Sequence, residues 1–122
     1  MFFPISEWFP AFVLTLLVEL PIVVILVRRA DSAIVRVAVL AGYGNLATHL
    51  AVWYVITQLT VVGTTAYVVV AESWAIGAEA GFYAVAIRGL GWRAALVTAV
   101  TANAASFTAG RLLTIVAPGA LG

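Results

Sequence analysis

The chain has 122 residues, 65% of them hydrophobic and only 9% charged, with a net charge of +1 and no Cys. Soluble domains carry about 45–50% apolar and about 25% charged residues, so a soluble enzyme, a nucleic-acid-binding domain and a disordered chain are all excluded. The missing Cys removes disulfides, thiolate metal sites and Cys nucleophiles.

A helix that crosses the hydrocarbon core needs about 20 mostly apolar residues, and four stretches qualify, at about residues 8–27, 33–57, 64–87 and 93–116. The expected fold is all-α: a four-transmembrane-helix up-and-down bundle forming a single integral membrane domain over residues 1–122.

The first span follows MFFPISEWFP, which has neither a basic segment nor a small-residue cleavage site. It therefore reads as a retained span, not a signal peptide. It carries Glu19 and Pro21. Proline has no N–H, so the Leu17 carbonyl loses its helical partner half a turn from Glu19. That carbonyl could serve a small cation or a water, or simply mark a packing kink.

RRADS leads to the second span, with Asp31-Ser32 as its N-cap signal. Gly42, Asn45 and His49 form one stripe along this helix. QLTVVG leads to the third span, which holds Glu72 and Glu79. RGLGW, whose glycines can turn the chain, leads to the fourth. There Asn103, Ser106 and Gly110 share a face, and Pro118-Gly119 stops the helix. Connections this short join antiparallel neighbours. Small-residue ladders, Gly77-x3-Gly81 and Ala102-x3-Ser106-x3-Gly110, mark close packing faces within the bundle or between protomers.

Five of the six arginines, Arg28, Arg29, Arg36, Arg88 and Arg93, flank the first and third connections. The positive-inside bias puts these connections in the cytoplasm and both termini outside, as expected for a protein of the cell (inner) membrane. Trp8, Trp53, Tyr54 and Tyr67 then fall at the outer interface and Trp92 at the inner one.

The two halves share a skeleton. Glu19 and Arg28 are nine residues apart, as are Glu79 and Arg88; Arg36 precedes Asn45 and Thr48, much as Arg93 precedes Asn103 and Ser106. Two repeated helical hairpins would produce this pattern, and so would chance similarity of Ala/Val-rich helices. Nine residues of helix rise about 13.5 Å, which sets Glu19, Asn45, Glu79 and Asn103 at one depth.

A carboxylate in hydrocarbon costs about 2.5–3.5 kcal/mol on insertion scales, so Glu19 and Glu79 must face the interior, a partner or a hydrated cavity. They read either as a proton- or cation-binding pair or as protonated helix glue bonded to Asn. His49 could relay protons, but a helix–helix hydrogen bond is its simpler role. Counting from the Arg-flanked ends, Glu72 lies about 24 Å and Arg111 about 27 Å along their helices, which predicts a structural ion pair. No nucleophile elbow, phosphate loop, metalloprotease motif or dinucleotide motif occurs, so neither an enzyme nor a cofactor or metal site is expected.

Four spans with a carboxylate in the first, here within LLVELPIVVILV, resemble the layout of the small multidrug resistance transporters. In that family a first-helix carboxylate binds protons and cationic drugs in turn within an antiparallel dimer, a role the resemblance would assign to Glu19. The segment lacks the family's Gly- and Thr-containing continuation, and the Arg asymmetry departs from its dual orientation. NLATH and NAASF, with a Glu in alternate helices, also resemble segments of uncharacterised small four-helix bacterial membrane proteins, a likeness that implies no activity.

Two functions follow. One is a proton-coupled transporter or ion-conducting unit whose pathway is Glu19, Asn45, His49, Glu79 and Asn103, in a homodimer, since four helices rarely enclose a route alone. The other is an accessory or scaffold subunit of a larger membrane complex, docked by its small-residue faces. The expected partners are the lipid bilayer and a second copy or other membrane subunits, with no nucleic acid.

Overall fold

A computed structural model describes residues 5–121. The opening MFFP lies outside the described residues. Four long helices and no strand occur among the described residues: α1 (Ile5–Val27), α2 (Ile34–Leu59), α3 (Thr65–Ala86) and α4 (Trp92–Val116). Three of them, α1 to α3, are long and apolar enough to cross a membrane. The predicted fourth span forms as a 25-residue helix but is less apolar than expected. Arg93, Asn103, Ser106, Arg111 and the threonines at 98, 101, 108 and 114 dilute its Ala- and Val-rich sequence.

The helices pack in a ring in which α1 touches α2 and α4, and α3 touches α2 and α4. The 28–33 and 87–91 connections meet at one end. Gly89 turns with φ +70°, and a Cβ there would lie 3.4 Å from the Ala30 carbonyl oxygen. Glycine suits both the left-handed conformation and the close approach. At the start of α2 the expected cap is displaced. Ala33, not Ser32, precedes the helix, and no side chain caps it. Asp31 instead accepts from the Ala33 amide at 3.1 Å and pairs with Arg36, which ties the turn to the helix.

α2 is not uniformly α-helical. Val52–Ile56 form a π-helical turn before the last α-helical residues, Thr57–Leu59. The wider turn holds extra residues and shifts the downstream side chains around the axis. Trp53, four residues beyond His49, borders the interior, and Ile56 within the turn is buried.

The interior has two halves. Toward the Arg-flanked end it is an apolar core of Val23, Val27, Val37, Ala41, Tyr83, Ile87, Leu90, Ala95, Ala99 and Ala102. All four helices contribute, and alanines on α4 let the backbones close on Tyr83. Beyond Tyr83 the core gives way to the polar layer described below. The α2–α3 seam is tight. A Cβ at Gly44 would lie 3.1 Å from the Phe82 ring. Gly44→Leu is therefore expected to lower stability by about 1–3 kcal/mol through overpacking, measured as unfolding in mixed micelles. Gly42, with nothing within 4 Å of a built Cβ, should accept Ala with little change.

Candidate functional site

Among the described residues six polar side chains are buried: Glu19, Asn45, Thr48, Glu79, Thr98 and Asn103. Glu19 and Glu79 are each 1% exposed, so both carboxyls turn inward as their cost in hydrocarbon requires.

Glu79 on α3 is fully engaged. Thr48 of α2 donates to its Oε1 at 2.8 Å, and Asn103 of α4 donates to its Oε2 at 2.7 Å. The Asn103 amide also donates to the Ala99 carbonyl at 2.9 Å, which orients it along its own helix. Three helices are thus bonded through one side chain.

Glu19 on α1 is engaged on one side only. Ser106 of α4 donates to its Oε1, while Oε2 has no partner among the described residues. Asn45 of α2 stands beside this carboxyl. Its Nδ2 donates to the Ala41 carbonyl at 3.1 Å, and its Oδ1 is likewise buried without a partner. Each carboxyl accepts a hydroxyl from the opposite hairpin: Ser106 serves Glu19, and Thr48 serves Glu79.

His49 is one turn beyond Asn45. Its Nε2 lies 3.2 Å from the Thr15 hydroxyl, and Phe12 meets the ring edge-on with centroids 5.4 Å apart. It bridges α1 and α2, in keeping with the interhelical bond expected of it, and borders the same cavity as the carboxyls.

That cavity has a volume of about 210 Å³ and is partly open. Glu19, Asn45, Glu79 and Asn103 form its deep end, and Trp53, Tyr67 and Glu72 lie toward the 60–64 connection. The apolar core around Tyr83 closes the opposite, Arg-flanked side. The structure thus brings together all five predicted pathway residues, Glu19, Asn45, His49, Glu79 and Asn103, around one space.

The predicted Glu72–Arg111 pair does not form. Arg36–Asp31 is the one ion pair among the described residues. Glu72 borders the cavity, within electrostatic reach of Glu79, while Arg111 is exposed on the outer surface of α4. Equal depth placed the two at one level, but residue 111 is rotated by about 100° from Gly110, which continues the Asn103–Ser106 face. Pro21 is exposed, as is Leu17, so the carbonyl freed by the proline lies on the outer surface of α1, which removes the reading as a ligand beside Glu19 and leaves the packing kink.

Sequence reasoning missed the aromatic wall of Trp53, Tyr67 and Phe107 and the contribution of Thr15. Trp53 was legible, four residues beyond His49 on the stripe of Gly42, Asn45 and His49, but the aromatic-belt preference assigns it to the outer membrane interface instead. Glu72 was legible, since it lies seven residues before Glu79 on the same face.

Among the described residues no group of three or more His, Asp and Glu side chains is arranged to hold a metal ion. No family model, curated protein or solved structure matches the chain.

Proposed function

We propose that this protein is a small membrane transporter or ion-conducting unit, not an enzyme, in which intramembrane carboxylates bind a proton or a cation. The observation that carries the reading is a cavity of about 210 Å³ bordered by Glu19, Glu72 and Glu79 and by no Arg or Lys. Buried acids that served only as helix glue would need no such space around them. All four helices cross the bilayer in this reading, α4 packing against α1 and α3 with Asn103 and Ser106 turned inward. The Arg-flanked connections face the cytoplasm of a cell membrane and the cavity opens to the outside. The crossed bonds Ser106–Glu19 and Thr48–Glu79 favour two related hairpins about an axis along the membrane normal. Alternating access would then be completed by a second copy.

The test is flux in proteoliposomes under an imposed pH gradient, read by an internal pH dye. The native protein is expected to move protons, alone or with a solute. Glu19→Gln is expected to lower the rate at least tenfold, since it removes the charge but keeps the shape. No flux from the native protein, together with stoichiometric co-purification with other membrane subunits, would favour the accessory role.

A further inference from the structure

Glu79 and Glu19 each meet a hydroxyl that has a second acceptor in its own helix. Thr48 Oγ1 lies 2.8 Å from Glu79 Oε1 and 3.1 Å from both the Gly44 and the Asn45 carbonyl oxygens. Ser106 Oγ bonds to Glu19 Oε1 and lies 3.1 Å from the Asn103 carbonyl oxygen. A hydroxyl has one hydrogen to give and lone pairs to receive another. Bonding back to the preceding turn is ordinary for Ser and Thr in helices, and Thr57, Thr101 and Thr108 do it in this chain. Among the described Ser and Thr side chains, Thr48 and Ser106 are the two that reach a carboxyl as well.

We propose that the ligand of the carboxyl layer is the proton, and that Thr48 and Ser106 are positioning residues that let Glu79 and Glu19 bind and release it with no buried polar group left unpaired. The inference rests on the transport reading above and chooses the proton within it. When Glu79 is ionised, Thr48 turns its hydrogen to Oε1. When Glu79 is protonated, the acid O–H donates to the Thr48 oxygen, and the Thr48 hydrogen turns to the Gly44 or Asn45 carbonyl. Ser106 does the same between Glu19 and the Asn103 carbonyl. The released proton leaves to water in the cavity, and the O–H bonds of Thr48 and Ser106 stay intact. The Asn103 amide can only donate to Glu79 Oε2, which keeps the proton on Oε1, next to Thr48. A metal ion would have to displace these donors from the carboxyls, whereas a proton only reverses the direction of one bond. The titratable groups that face the two carboxyls are each other, Glu72, Tyr67 and Tyr83 on α3 and His49 on α2; α4 brings none to the cavity.

Infrared titration of the full chain in lipid nanodiscs reads the protonated carboxyls directly, whether or not the protein transports, and Glu79→Gln and Glu19→Gln assign the bands. An ionised acceptor gains more from a donor than a neutral one does. Thr48→Val should therefore raise the pH at which the Glu79 band is half lost by about one unit, a tenfold change in proton affinity, and Ser106→Ala should do the same for the Glu19 band. Thr48→Ser and Ser106→Thr, which keep the hydroxyl, should restore the native titration. Proton flux in proteoliposomes should fall at least tenfold in the first two variants and recover in the second two. Thr101→Val and Thr108→Val, which lose the same back-bond on the exposed face of α4, should move neither reading. Unmoved bands in Thr48→Val and Ser106→Ala, or an equal shift in Thr101→Val, would overturn the assignment. If the bands move as expected but the native protein carries no protons, the two hydroxyls keep their role and the transport reading fails. If Glu19-dependent flux persists unchanged without either hydroxyl, the transport reading stands and this inference fails.

Discussion

Replacing Tyr83 by Ala is expected to lower stability by about 3–5 kcal/mol, the range for removing a large aromatic side chain from a packed interior. Tyr83 is 0% exposed, and its ring lies in the apolar core built by all four helices. Alanines at 95, 99 and 102 line that core on α4, and their short side chains cannot fill the space left by the ring. The hydroxyl behaves differently. It is buried with no partner among the described residues, so Tyr83→Phe should change stability by less than about 1 kcal/mol. Equilibrium unfolding in mixed micelles measures both. A costly Phe variant would show that the hydroxyl holds a bond, and a mild Ala variant would show that the core is loosely packed.

Asn103→Ala is expected to cost about 2–3 kcal/mol, because it strips a donor from a buried carboxyl oxygen. Asn45→Ala, its counterpart in the other half, should cost less, about 1 kcal/mol, since its Nδ2 donates at 3.1 Å to the carbonyl of its own helix and the Glu19 carboxyl beside it keeps the bond from Ser106. The Asn103 term should also depend on its partner. In a double-mutant cycle with Glu79→Gln the two changes are expected to be non-additive by about 1 kcal/mol or more. Additive effects, or equal costs for the two Asn residues, would contradict the asymmetry described for the two carboxyls.

Depth along the helices was legible in the sequence, and azimuth was not. The helix rise is constant, so counting from the Arg-flanked ends placed Glu19, Asn45, Glu79 and Asn103 in one layer, where the structure has them bordering one cavity. A carboxylate in hydrocarbon has only inward directions open to it, so the faces of Glu19 and Glu79 followed as well. Arg111 obeys no such rule. A long cationic side chain near a helix end can reach the interface from the outer surface, and depth alone paired it wrongly with Glu72. Helices that are apolar all round show no stripe from which a face can be read. The same blindness hid the π-helical turn at Val52–Ile56, since VWYVI differs in no visible way from the α-helical sequence before it. α4 departs in the other sense: Ala95, Ala99, Ala102 and Asn103 serve the close packing and hydrogen bonding of its inner face, while the exposed Thr101, Thr108 and Thr114 bond to their own helix's carbonyls, and together they leave it less apolar than its neighbours.

The central claim is that water reaches the carboxyl layer through the cavity inside the ring of helices. The native chain has no Cys, so a single introduced thiol reports one position. Ala75 borders the cavity, whereas Leu17, at similar depth, is 70% exposed on the outer, lipid-facing surface. With protein oriented in liposomes, a membrane-impermeant thiol reagent is added on the side of the 60–64 connection. Ala75→Cys is expected to react at least tenfold faster than Leu17→Cys, and to be protected when the reagent is present only on the Arg-flanked side. Equal labelling at the two positions, or none at Ala75→Cys, would contradict a hydrated route to Glu19 and Glu79.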